Sequence, residues 1–131
     1  MPGKIDWSFS VVVAGGPKFS ASRSMSVDAY DKVDAMIPKK EGGTAGTATV
    51  NVQPSGAGKV QLLLITSSVY DDKLSYTVDG GPAVKLDEPQ LMVGDGIVGL
   101  LNATQKQFVF TNELDPPANA SVQILVGRNP S

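Results

Sequence analysis

The chain has 131 residues, 41% of them hydrophobic, with a formal net charge of −2 and neither cysteine nor histidine. This fits one domain, 1–131, large enough to bury roughly two thirds of its unfolded surface around a core of its own. The two missing residue types exclude disulfides, thiolate metal sites, cysteine nucleophiles, a Ser-His-Asp arrangement and histidine-based metal centres.

The 11 basic residues are scattered singly, apart from Lys39-Lys40, which Glu41 follows at once. No basic stripe exists to track a nucleic-acid backbone. The longest apolar run near the start, Val11 to Ala14, is too short for the core of a signal peptide. Nothing approaches the roughly 20 apolar residues of a membrane-spanning helix. The expectation is a chain with no export signal and no membrane span, at home in the cytoplasm or in a virion.

In chain order, the dominant period is two. Ile5, Trp7, Phe9, Val11 and Val13 alternate with Asp6, Ser8, Ser10 and Val12, which places five apolar side chains on one strand face and predicts that face for the core. Gly15-Gly16-Pro17 stops the strand. Phe19, Ala21, Met25 and Val27 then share a face, with Arg23 the exception and serine dominating the other side. "YDKVDAMIP" is short and mixed, compatible with a strand or one helical turn. After the loop "KKEGGTAG", the alternation restarts with Ala48, Val50 and Val52. "KVQLLLITSS" is apolar on both faces, as in a strand covered on both sides or facing a partner subunit.

"KLSYTVDGGPAVKL" reads as a hairpin. Leu74, Tyr76 and Val78 alternate up to Asp79-Gly80, a pair that supplies positive φ cheaply, and Pro82 points to an edge. Next, Gly94-Asp95-Gly96-Ile97-Val98-Gly99 matches G-x-G-x-x-G, with Glu113 at about the spacing of a ribose-binding acid. A dinucleotide unit also needs a helix there. "IVGLLNATQK" is a poor one, with two β-branched residues and an internal glycine. The expectation is a turn at 94–96, positive φ at Gly94 or Gly96, and a strand over 97–101. "KQFVFTN" and "ASVQILVGR" supply the last two strands. The total is about nine, an all-β antiparallel sandwich of jelly-roll or immunoglobulin-like type.

Three functional readings follow. Segments 60–65, 91–93 with 97–101, and 122–126 are apolar on both faces, more than a single sandwich core absorbs. The excess points to a homo-oligomer or larger assembly. The leading expectation is therefore a non-catalytic structural module without a cofactor, of virion type, such as a phage capsid-decoration or tail subunit. A carbohydrate-binding module is the alternative. Its ligand candidates are Tyr70, Asp71, Asp72 and Tyr76, with tyrosine rings stacking on sugars; Tyr30 is a further exposed-ring candidate. Acids at the turns, Asp71, Asp72, Asp79 and Asp95, are the candidates for calcium, through carboxylates converging on one rim. Aspartate also favours turns for its own backbone hydrogen bonds, and no D-x-[DN]-x-[DN]-G loop occurs. An enzyme acting through two carboxylates is the third reading, disfavoured by the missing histidine and cysteine.

Overall fold

The computed structural model describes residues 3–27, 29–52, 59–98, 100 and 107–129. Its strands are β1 (Gly3–Val12), β2 (Lys18–Val27), β3 (Ala29–Ile37), β4 (Gly46–Asn51), β5 (Lys59–Ser67), β6 (Leu74–Val78), β7 (Val84–Lys85), β8 (Gln90–Val93), β9 (Gln107–Asn112) and β10 (Ala120–Asn129), with one helical turn, α1 (Asp95–Val98), after β8. The mixed segment at 29–37 is thus a full strand.

Eight strands form two four-stranded sheets, β3-β10-β5-β8 and β4-β9-β6-β7, and every pairing within them is antiparallel. The pairs β3·β10, β4·β9, β5·β8 and β6·β7 are nested one inside the next. The chain thus runs as one long antiparallel hairpin, closed by the β10·β5 and β9·β6 pairings.

Alternation decides which side chains meet between the sheets. In the first sheet Val33, Ile124 and Ile65 lie in register, as do Val126 and Leu63. In the second, Val50, Phe108 and Val78 form one row, and Ala48, Phe110 and Tyr76 the next. Phe108, Phe110, Tyr76, Ile65 and Ile124 are fully buried in the shared core. Burying one such side chain contributes roughly 1.5–3 kcal/mol. Tyr76 packs its ring 5.5 Å from Phe110 and 6.2 Å from Phe108, centroid to centroid.

The predicted Asp-Gly turn is present. Asp79 and Gly80 have φ of 51° and 76°, and the Gly81 N–H donates to the Val78 carbonyl at 2.9 Å. Two consecutive positive φ values are what a two-residue hairpin turn demands. Pro82 has no N–H for the ladder, and pairing resumes only at Tyr76↔Val84, on an edge strand.

Two expectations are corrected. Residues 97 and 98 are not strand: Asp95–Val98 is a single helical turn. Gly94 does have positive φ, 96°. The chain there turns and continues around, and this buries Val98 at 1% exposure beside β5. Residues 99 and 101 lie outside the described part. β8 and β9, on either side of the glycine motif, lie in different antiparallel sheets, so the motif is not set in a βαβ unit.

The second correction concerns β1. Its alternating apolar face does not enter the sandwich core. β1 pairs only with β2, over ten residues from Gly3↔Val27 to Val12↔Lys18, as a separate two-stranded ribbon. Trp7 is half-buried and Phe9 is 45% exposed.

Candidate functional site

The ligand residues expected from sequence do not assemble. Tyr76 is wholly buried, because it stands in phase with Leu74 and Val78 on the inward face of β6. Its hydroxyl donates to Gln90 Oε1 at 2.6 Å, and no ring face remains for a sugar. Tyr70 packs half-buried against the core, and its hydroxyl accepts the Ser67 N–H at 3.0 Å. Among the tyrosines Tyr30 is the exposed one, at 56%.

Nor do the acids converge. Asp71 and Asp72 precede β6 and Asp79 follows it, so the strand itself, roughly 17 Å long, lies between them. Asp71 Oδ1 accepts the Lys73 N–H at 2.9 Å; that bond first, and one with Asp72 second, hold its carboxyl below the usual range. The Asp79 carboxylate accepts the Gln107 N–H at 2.8 Å, while its own N–H donates to the Gln107 carbonyl. Asp71 serves its own turn, as turn aspartates do, while Asp79 ties the end of β6 to the start of β9. The Asp95 side chain lies outside the described residues. Among the described residues no group of three acids forms a metal-holding cluster.

The conspicuous surface is the ribbon. Ser24 Oγ donates to Asp6 Oδ1 at 2.5 Å across its polar face, and Trp7 stacks on Phe9 with centroids 6.1 Å apart and planes 6° from parallel. At the tip, the Val13 N–H donates to the Pro17 carbonyl and the Gly16 N–H to the Val13 carbonyl, with Gly15 at φ 72°. Val11 pairs with Phe19, Phe9 with Ala21 and Trp7 with Arg23, so one face presents Trp7, Phe9, Val11, Phe19 and Ala21 together, with Arg23 the single charge among them. Val11 is 52% exposed and Phe19 59%.

Only the root of the ribbon is anchored. Val27 is buried at 2%, and Leu62, beneath it on the outer face of β5, at 1%. A Cβ at Gly127 would fall 2.8 Å from Ile5 Cδ1 and 3.3 Å from Val27 Cγ1. The bare backbone of β10 is therefore what lets the root lie so close to the sheet. Sequence reasoning missed this element because its pattern equals that of a core strand. The available signal was the apolar alternation on both arms of one Gly-Gly-Pro turn, interrupted only at Arg23.

No family model, curated protein or solved structure matches the chain. No helix among the described residues is long and apolar enough to cross a membrane.

Proposed function

We propose that the protein is a non-catalytic assembly module, a self-associating structural subunit of the kind that builds or decorates a virion shell or tail. The observation that carries this is the uncovered apolar face of the β1–β2 ribbon. An isolated two-stranded hairpin is marginal in water, and ten paired residues per strand with aromatic residues turned to solvent make sense once another surface covers them. Single exposed apolar side chains are ordinary; Phe9, Val11 and Phe19 exposed together on one face of a projecting ribbon, beside half-buried Trp7, are a contact surface.

The nested strand pairing supports a jelly-roll type of sandwich, an architecture common in capsid and lectin domains. That link is an analogy of fold and adds only context. The test is light scattering on the intact chain and on a Phe9→Ser, Val11→Ser, Phe19→Ser variant. The native protein is expected to form oligomers, with a melting temperature that rises with concentration, and the variant monomers that still unfold cooperatively. A strict monomer at high concentration for the native chain overturns the reading.

A further inference from the structure

Resting on the assembly reading, we infer that the ribbon of one copy docks on the outer face of the β3-β10-β5-β8 sheet of a second copy, beside the root of that copy's own ribbon. The register defines the acceptor. Leu63, Ile65, Ile124 and Val126 point into the core, so Leu62, Leu64 and Leu125 point outward. Outward side chains form cross-strand rows. One row is Val93, Leu62, Gly127 and Tyr30; the next is Leu91, Leu64, Leu125 and Lys32.

The middle of the first row, Leu62 and Gly127, is already covered within the chain. Ile5 and Val27 press onto Gly127, and Leu62 is excluded from water. This sheet face thus accepts the apolar side of this ribbon, because its root is the example. Further along, the ribbon leaves its own sheet, since Phe9 and Phe19 are exposed. The second row stays open: Leu91 is 41% exposed, and Leu64 and Leu125 are half-buried. Next to Leu91 the open surface continues into a shallow apolar hollow walled by Pro89, Met92, Ile97 and Leu100. Among the described residues one chain therefore carries an apolar ribbon without a floor and an apolar floor without a cover. An incoming ribbon extends the layer that the resident root begins.

Size selects the form of the assembly. Six residues per strand beyond the root give a footprint of roughly 20 Å by 10 Å, so one docked ribbon buries on the order of 400 Å² from both sides. Stable pairs bury roughly 1,200 Å² or more. A single docked ribbon is too small, and stability has to come from a closed arrangement in which every subunit both gives and receives one.

The absence of native cysteine makes the test clean. Phe9→Cys and Leu125→Cys chains are prepared separately, mixed to exchange subunits and oxidised. A disulfide-linked dimer is expected from the mixture and not from either variant alone. Gln123→Cys, an exposed position on the same outer face, serves as a second acceptor should Leu125→Cys disturb folding. Ser8→Cys, on the opposite side of the ribbon, is expected not to link. If oligomers persist in light scattering but neither acceptor links to Phe9→Cys, the acceptor face is overturned while the assembly reading stands. Linkage of Phe9→Cys with itself likewise overturns the acceptor face, in favour of ribbon-on-ribbon stacking. A monomeric native chain overturns both.

Discussion

The Tyr76 hydroxyl on β6 donates to the Gln90 carboxamide on β8, a 2.6 Å hydrogen bond that links the two sheets of the sandwich. The Gln90 amide nitrogen in turn donates to the Lys85 carbonyl on β7 at 2.7 Å. One side chain thus ties three strands together where β7 and β8 follow each other in sequence. Tyr76→Phe removes the donor and strands the acceptor at a cost of about 1–2 kcal/mol, read as a lower urea midpoint with unchanged slope.

The same pair sets an alkaline limit. Burial pushes the Tyr76 hydroxyl up from 10.0 to about 12. The neutral form is the one the fold favours, so its contribution is complete below pH 10 and is lost as pH rises from 10 toward 12. Urea midpoints measured across that window are expected to fall more steeply for the native chain than for Tyr76→Phe. Equal slopes would show that Tyr76 ionises as freely in the fold as outside it.

Gly46 stands where β4 leaves the Pro38–Ala45 loop, and a Cβ there would lie 1.7 Å from the Pro38 carbonyl oxygen. The obstacle is backbone, which cannot swing aside as a side-chain tip does. Gly46→Ala is expected to cost about 2–3 kcal/mol, as overpacking does, and to lower the melting temperature by several degrees. A loss under about half a kcal/mol in calorimetry would show that the loop yields.

Arg128 is 7% exposed at the end of β10, and its guanidinium is paired with the Asp31 carboxylate on β3. Asp31→Asn leaves a nearly buried cation facing a neutral amide. Its partner position is itself partly open to water, so the expected loss is about 2 kcal/mol, below the roughly 3–5 kcal/mol of a fully enclosed pair. Asp31→Asn with Arg128→Met should recover part of it, because the uncompensated charge is then gone. Denaturation midpoints of the single and double variants decide.

Much of the sandwich is legible in the sequence, and particular residues show why. Leu74, Tyr76 and Val78 alternate up to Asp79-Gly80, and the structure places all three in the core and both turn residues at positive φ. Alternation reports that a face is covered, without saying by what. On β6 the cover is the opposite sheet; on β1 the same pattern belongs to a ribbon that no strand among the described residues covers. Tyr76 is lost as a ligand candidate for a related reason. It is in phase with aliphatic neighbours, which outweighs any value of its ring as a platform. Asn112 was illegible from the other side: it follows Phe108 and Phe110 in phase and is wholly buried. Its amide donates to the Ala118 carbonyl at 2.8 Å and its oxygen accepts the Leu114 N–H at 3.0 Å. A core position held by amide bonds to the chain bend just beyond it looks, in sequence, like the end of a strand.

The nesting of strand pairs dictates the order in which this chain can close. β6 and β7 meet across a turn of five residues, whereas Ile37 of β3 waits for Ala120 of β10. Each outer pair closes a longer loop than the one inside it, so the entropy lost before any contact forms rises outward. Folding is therefore expected in milliseconds to seconds, the range of sandwiches built on distant pairings, as a single exponential in stopped-flow fluorescence from Trp7 only if the ribbon root docks with the rest. The β1–β2 ribbon, joined by one short turn, has no such wait. Its pairing comes early but holds only marginally while the sheet beneath its root is still unmade, and its apolar side spends that interval in water.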